Sequence, residues 1–187
     1  MSGEEIQPGR RPPAPGDLAL VQAFINTHYD LVHVHGAELL ATPTALGAWL
    51  LERDLIDGRA TIRNADLERA LALREALRGL ARGERRALAR LNDAARGAVA
   101  GVAFTGTGPR FVVPAGAGLD GAFGRLLAIV ASAMSDGSWT RMKICPGDDC
   151  GWAFYDHSRN QTGRWCSMSV CGGRAKARAH YRRRRQH

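Results

Sequence analysis

The feature that most constrains this chain of 187 residues is a set of four cysteines near its C-terminal end. They form two C-x4-C pairs with fifteen residues between them: Cys145 and Cys150, then Cys166 and Cys171. The short loop within each pair lets two thiolates reach one ion, and the long segment brings the second pair to complete a tetrahedron. Thiolates favour zinc, and four protein ligands leave no position for a reactive water. The pattern therefore predicts a structural zinc ion, Zn²⁺, and not a catalytic one.

Two other uses of four cysteines fit this sequence less well. An iron–sulfur cluster commonly uses C-x2-C spacings, which are absent here, and two disulfides would need an oxidising compartment. The first sixteen residues lack the apolar stretch of a secretory signal, and no apolar run has the length of a membrane span. We therefore expect a cytoplasmic protein with no membrane partner.

The charge of the chain changes near the place where the cysteines begin. Residues 1–140 contain fifteen basic and fifteen acidic side chains, whereas residues 141–187 contain eleven basic and three acidic ones. The whole net charge of +8 therefore lies in the last 47 residues. Together with the Pro- and Gly-rich start, this predicts a flexible tail over 1–16, a helical domain over 17–135, and a zinc finger with a basic tail over 140–187.

The predicted fold class is α+β and predominantly helical. An aromatic content of 6% and the abundance of alanine and leucine favour helices over a large sheet. Apolar residues at helical spacing predict five helices, which begin at Asp17, Thr42, Asn64 or Asp66, just after Gly83, and at about Leu119. Residues 102–115 predict a small β-hairpin within the helical domain. In the finger we expect two short strands, at 140–144 and 152–156, and a helix after Cys166 with a weak point at Gly172-Gly173.

The residues around the cysteines resemble the CGNR zinc finger, a family named for the four residues that begin at its last cysteine. The matching positions are Cys145, Cys150, Gly151, Phe154, Asp156, Ser158, Arg159, Asn160, Arg164, Trp165, Cys166, Met168, Cys171, Gly172, Arg174 and Lys176. The upstream part resembles the ABATE domain in the stretches FINT (24–27), TPTALGAWL (42–50) and ALALREALRGL (70–80). The resemblance implies a bacterial transcription regulator that binds DNA through its finger. Gly173 stands where the family has asparagine, so the motif reads CGGR here.

The basic residues of the finger predict a surface for nucleic acid. On a helix, Arg174, Arg178 and Arg182 would share one face, and such a basic stripe suits a groove or a row of phosphates. The predicted nucleic-acid-binding residues are Arg159, Asn160, Arg164, Arg174, Lys176, Arg178, Arg182, Arg183, Arg184 and Arg185. A structural role stays open for the loop residues Arg159, Asn160 and Arg164. For Asp156 we favour a structural role, in which it accepts hydrogen bonds from Arg159 or Arg164 and from backbone donors.

These features predict a DNA-binding transcription regulator. Its N-terminal domain would sense a small-molecule effector or form a homodimer. The alternative is a zinc finger that binds proteins or RNA, without sequence-specific reading of DNA. The sequence has no phosphate-binding loop, no G-x-S-x-G, no H-E-x-x-H and no deaminase motif, so we expect no enzyme activity.

Overall fold

The computed structural model describes residues 7–30, 37–106, 108–114 and 116–185. The chain divides into two compact units. The first, which we call the terminal unit, consists of Met1–Ala37 together with Thr140–His187, and the second, the central unit, is Glu38–Trp139. In the part of the chain that the structure describes, six α-helices and three pairs of short strands give the predominantly helical α+β fold that the sequence predicts.

The helices and strands of the described residues follow one another along the chain. They are a 3-10 helix Pro8–Arg10, α1 (Leu18–Ile25), β1 (His28–Tyr29), β2 (Ala37–Glu38), α2 (Pro43–Leu51), α3 (Asn64–Ala81), α4 (Arg86–Gly97), β3 (Gly101–Thr105), β4 (Gly108–Val112), α5 (Gly118–Ser135), a 3-10 helix Ser138–Arg141, β5 (Met142–Ile144), β6 (Ala153–Tyr155), a π-helix Met168–Gly172 and α6 (Gly173–Arg184). Within the described residues, every helix is too short or too polar to cross a membrane.

The central unit is built from α2 to α5 and the hairpin of β3 and β4. Helix α3 packs against α2 and α4, α4 packs against α5, and α5 packs against β4. Helix α2 begins as predicted, because the Ala45 amide donates to Thr42 Oγ1 at 3.1 Å and Pro43 occupies the first turn. The fully or nearly fully buried side chains of this unit include Leu46, Leu50, Ala70, Leu73, Leu77, Ala122, Phe123 and Leu126.

The predicted hairpin over 102–115 forms as β3 and β4, which pair antiparallel with Val102 opposite Phe111 and Phe104 opposite Pro109. These two pairs share one face of the hairpin, since alternate residues of a strand point the same way. That face is exposed and apolar, and Phe104 is 86% exposed.

In the terminal unit, β5 and β6 pair antiparallel with Lys143 opposite Phe154. The first strand is shorter than predicted because the 3-10 helix Ser138–Arg141 takes up its expected start. The predicted helix after Cys166 is divided at the expected weak point: a π-helix ends at Gly172 and α6 starts at Gly173. Helix α1 packs against β6.

The N-terminal segment also belongs to this unit. Its 3-10 helix packs against the π-helix, Gln7 and Ala14 are buried, and Gly9 has a φ of +71°. A Cβ at Gly9 would overlap Ser167 Oγ, so glycine is required there by both backbone and contact. The expectation of a flexible tail over 1–16 missed these contacts of residues 7–16. The first six residues lie outside the described part of the chain.

Candidate metal centre

The four cysteines converge in the terminal unit. Cys145 follows β5, Cys150 precedes β6, Cys166 lies before the π-helix and Cys171 lies within it. All four are buried, and their sulfurs lie within 4.8 Å of one another. The Sγ atom of Cys166 is 3.6 Å from that of Cys150 and 3.6 Å from that of Cys171. The two predicted pairs thus form one cluster.

Backbone hydrogen bonds close each cysteine loop. In the first loop, the Cys145 amide donates to the Trp152 carbonyl at 2.9 Å, which continues the ladder of β5 and β6 beyond its last strand pair. In the second loop, the Ser167 hydroxyl accepts from the Val170 amide at 3.3 Å, and the Cys171 amide donates to the Ser167 carbonyl at 3.0 Å. Local structure therefore directs both thiols of each pair toward the same point.

The distances fit a single tetrahedral ion. A disulfide would bring two sulfurs to about 2.05 Å, and none of the four cysteines is so paired. For a Zn–S bond of about 2.3 Å, the edge of a sulfur tetrahedron is about 3.8 Å, close to the observed separations of 3.6 Å. A cluster of several iron atoms would need the sulfurs further apart. The donor set therefore fits one structural zinc ion.

The pKa shifts of the cysteines describe the cluster without a metal ion. Hydrogen bonds from the thiols of Cys150 and Cys166 lower the pKa of Cys145 to about 2. The hydrogen bond to Cys145 in turn raises the pKa of Cys150 to about 12, and the same contacts raise the pKa of Cys166. One buried thiolate thus keeps its neighbours protonated. All four sulfurs become thiolates only when a divalent ion compensates their charge.

Aromatic side chains pack around the cysteines. Trp152 and Phe154 are buried in the same cluster, and Tyr29 and Trp165 pack against it. The rings of Tyr29 and Trp152 meet edge to face at 4.9 Å between centroids. Met168, between the second pair of cysteines, is by contrast 55% exposed.

Arg11 ties the N-terminal segment to the metal centre. Its Nε donates to the Cys166 carbonyl at 3.0 Å, its Nη1 to the Tyr155 carbonyl at 3.2 Å and its Nη2 to the Trp165 carbonyl at 3.1 Å. The guanidinium also lies 4.7 Å from the centroid of the Phe154 ring. No pattern in the sequence predicts this role, because Arg11 stands beside an identical arginine in a Pro-rich stretch.

Polar side chains of α1 and its flanks complete the outer edge of β6. Asn26 exchanges two hydrogen bonds with the backbone of Ala153, at 2.9 and 2.7 Å, and Gln22 donates to the same carbonyl at 3.1 Å. Gln7 Oε1 accepts from Gln22 and, at 2.9 Å, from the indole of Trp152. Two amides four residues apart on an otherwise apolar helix were the signal that could have found this contact.

Asp156 organises the loop that follows β6. Its carboxylate is fully buried and accepts from Lys143 Nζ at 2.7 Å and from the amides of Ser158 and Gly163 at 3.0 and 2.7 Å. Burial by itself would raise its pKa, but these hydrogen bonds outweigh burial and lower the pKa. Asp156 thus has the structural role that the sequence favoured. Its charged partner is Lys143, however, and not Arg159 or Arg164.

The residues predicted to bind nucleic acid fall into two groups. Arg174 donates to Cys171 Sγ at 3.2 Å, and Arg178 forms an ion pair with Asp148 at 3.3 Å. Arg178 is nevertheless exposed. The other predicted residues are also exposed: Arg159, Asn160 and Arg164 in the loop before Cys166, and Lys176, Arg182, Arg183, Arg184 and Arg185 in α6 and at its end. Their contact with nucleic acid stays a prediction.

Gly173, where the family has asparagine, is the first residue of α6 and has a helical φ of −60°. A Cβ there would meet only the Met168 carbonyl, at 3.5 Å. The exchange of asparagine for glycine is therefore not imposed by the metal centre.

Two models of known protein families match this chain. A family model described as "CGNR zinc finger" matches residues 141–184. A second model, ABATE, described as "Putative stress-induced transcription regulator", matches residues 11–136. Neither description names an enzyme, and no curated protein matches the chain. Since the second match covers more than half of the 187 residues, the chain belongs to the ABATE family, and it carries a CGNR zinc finger built around a structural zinc ion.

Proposed function

We propose that this protein is a transcription regulator of the cytoplasm that binds duplex DNA through its terminal unit. The observation that carries the proposal is the positive charge of residues 141–187, where eleven basic side chains face three acidic ones. A zinc ion held by four thiolates contributes −2, so a net charge of about +6 remains. A surface of this charge attracts phosphates and accelerates encounter with a polyanion.

The structure supports the proposal because it separates the cations that stabilise the fold from those that face solvent. Arg141, Lys143, Arg174 and Arg178 are bonded within the terminal unit. Within the described part of the chain, the other seven form no ion pair. These are Arg159, Arg164, Lys176, Arg182, Arg183, Arg184 and Arg185, and Arg164 also lies over the ring of Trp165. Seven exposed cations on one small unit favour a polyanionic partner.

Recognition of a specific DNA sequence would come from the loop after Asp156. Arg159 and Asn160 are exposed and lie within this loop. The loop is fixed at its backbone, because Arg141 donates to the carbonyls of Asp156 and Ser158 at 3.0 and 2.8 Å, and Lys143 donates to the Gly163 carbonyl at 3.1 Å. Arginine pairs with guanine and asparagine with adenine in the major groove. A loop fixed by these hydrogen bonds suits the recognition of bases, because less conformational freedom is lost on binding.

The central unit would supply self-association or sensing. Its hairpin exposes the apolar face of Val102, Phe104 and Phe111, and exposed apolar patches mark interaction sites. A homodimer through this face would place two fingers on two half-sites of DNA.

If the hairpin is the dimer interface, Phe104→Ser should convert the dimer to a monomer, as measured by light scattering after size exclusion. An unchanged mass would reject the hairpin as the interface. A small-molecule effector site in this unit stays a prediction.

The test of DNA binding uses the full-length zinc-loaded protein and three fluorescent probes. They are a duplex selected from a random-sequence pool, a scrambled duplex of the same composition, and a single-stranded RNA. We expect the selected duplex to bind at least tenfold more tightly than the scrambled one. Equal affinity for the two duplexes would reject sequence-specific regulation. Tighter binding of the RNA would favour the RNA-binding alternative, and no binding of any probe would favour a protein-interaction module.

The basic tail can be tested through the salt dependence of binding. Replacing the four arginines at 182–185 by alanine should reduce the slope of log affinity against log salt by up to about four units, one per lost phosphate contact. The control removes four exposed arginines from the central unit, with the substitutions Arg59→Ala, Arg85→Ala, Arg90→Ala and Arg110→Ala. An equal loss of slope in both variants would show that net charge alone attracts DNA.

A further inference from the structure

We infer that α6 presents DNA with the face that carries Lys176, His180 and Arg183, whereas the face of Arg174 and Arg178 holds the helix to the metal centre. The inference rests on the proposed function and assigns its contact surface. It differs from the basic stripe that the sequence suggested, which began with Arg174 and Arg178.

The face toward the metal centre is defined by two contacts. Arg174 donates to Cys171 Sγ at 3.2 Å and to the Val170 carbonyl at 3.4 Å. One turn later, Arg178 Nη2 lies 3.3 Å from Asp148 Oδ2, an atom of the loop between the first two cysteines. Residues four apart share a helix face, so this side of α6 is directed at the cysteine loops. A DNA duplex on this side would compete with the ion pair between Arg178 and Asp148.

The opposite side follows from helix geometry. At 100° per residue, Lys176 and His180 lie about 160° around the axis from Arg178, and Arg183 lies about 140° from it. Their spacing of i, i+4 and i+7 makes one stripe about 10 Å long. All three side chains are exposed. The stripe suggested by the sequence, Arg174, Arg178 and Arg182, lies on the other side of the helix. Arginine occurs on both faces of α6, so the sequence alone did not distinguish the two faces.

The packing of α6 indicates what kind of partner fits it. The helix has no buried residue and, of the helices and strands described, packs closely only against the preceding π-helix. It has no acidic residue between Gly173 and Arg184, and its only large apolar surface is Tyr181, 69% exposed. An apolar groove would gain little from such a helix. A row of phosphates would gain a complementary charge, and a helix of this diameter fits the major groove.

The decisive experiment compares single substitutions that remove the same charge from the two faces. Arg183→Gln and Lys176→Gln should each lower the salt slope for the selected duplex by about 0.9. Arg178→Gln, the matched control, should leave the slope unchanged and lower zinc retention against a chromophoric chelator by up to about fivefold, the size expected for an exposed ion pair. His180→Ala should weaken duplex binding without changing zinc retention.

A second control breaks the same ion pair from its acidic side. Asp148→Asn removes no cation, so it should reproduce the zinc effect of Arg178→Gln and leave the salt slope intact. If Arg178→Gln and Arg183→Gln reduced the salt slope equally, the assignment of faces would be wrong, whereas the proposal of duplex binding would stand. Failure of the unsubstituted protein to bind any duplex would overturn the proposed function and this inference together.

Discussion

At the scale of single residues, Asp156 shows how a buried charge is accommodated beside the metal centre. A carboxylate removed from water is stable only when it is paired and hydrogen-bonded. Lys143 supplies the charge, and the amides of Ser158 and Gly163 supply the remaining donors. The same lysine also bonds the carbonyls of Gln161 and Gly163, so one ion pair fixes the loop at several points. A Cβ at Gly163 would lie 2.6 Å from Asp156 Oδ1, which explains the glycine.

We predict that Asp156→Asn destabilises the terminal unit by about 3 kcal/mol at pH 7, because it leaves a partly buried lysine without its counter-charge. The folded-state pKa of Asp156 lies below its usual value. The contribution of the carboxylate is therefore fully present at neutral pH, and it is lost only as the pH falls below about 4 toward the folded-state pKa. Chemical denaturation of the zinc-loaded protein measures the loss.

A double-mutant cycle controls this prediction. Lys143→Met removes the charge and keeps the length of the side chain, so the double variant should be less destabilised than the sum of the two single variants. Additive effects would mean that Asp156 acts only through its backbone partners.

Arg174 donates to the sulfur of Cys171, one of the four cysteines of the metal centre. A guanidinium that donates to a ligand thiolate stabilises its negative charge, and partners of this kind change metal affinity by about 10- to 100-fold. We therefore expect Arg174→Gln to weaken zinc binding about tenfold in competition with a chromophoric chelator. Arg174→Lys, which keeps the charge but loses the planar fork, should fall between the unsubstituted protein and the glutamine variant. Unchanged zinc affinity in the glutamine variant would return Arg174 to the group of candidate DNA contacts.

At the scale of elements, the segment before α1 acts as part of the zinc finger. The 3-10 helix Pro8–Arg10 packs on the π-helix that carries Cys171. Arg11 donates to the carbonyls of Tyr155, Trp165 and Cys166. Trp165 and Cys166 lie in irregular backbone before the π-helix, and Tyr155 is the last residue of β6. A buried carbonyl without a donor is costly, and the donor for these three comes from a distant part of the chain.

We predict that Arg11→Ala destabilises the terminal unit by about 3 kcal/mol, since it removes three charge-assisted hydrogen bonds and a contact with the Phe154 ring. Arg10→Ala is the matched control, because Arg10 is adjacent, equally charged and exposed. It should change stability by less than about 0.5 kcal/mol. Thermal unfolding of the two zinc-loaded variants gives the comparison, and equal melting temperatures would show that the contacts of Arg11 do not stabilise the terminal unit.

At the scale of the whole molecule, the compact units do not follow the order of the chain. Residues before β2 group with the zinc finger, and the helices between them form the other unit. The predicted domains, and the family matches over 11–136 and 141–184, instead divide the chain near residue 140. The predicted boundaries of 16 and 135 stay a prediction, because sequence similarity and compactness divide this chain differently.

Metal removal should distinguish the two divisions. Zinc binding supplies folding free energy to a unit with a small core, so chelation should expose amides over both 7–30 and 140–185 to hydrogen exchange. The amides of α2 to α5 should keep their protection, because those helices have an apolar core of their own. Cys166→Ser should give the same pattern. Protection retained over 7–30 after zinc loss would show that the N-terminal segment folds without the finger.

The sequence alone determined the metal centre and the fold class. Ligand spacing and helical periodicity are local properties, and a C-x4-C loop or an apolar stripe has the same meaning wherever the rest of the chain lies. Only the tertiary structure decided which lysine pairs with Asp156, which arginine supports the cysteine loops, and which side chains of α6 contact those loops. Arg11 and the carbonyl of Cys166 are 155 residues apart. Contacts between residues so far apart in sequence depend on how the tertiary fold brings the two segments together. The spacing of residues along the sequence does not encode that arrangement.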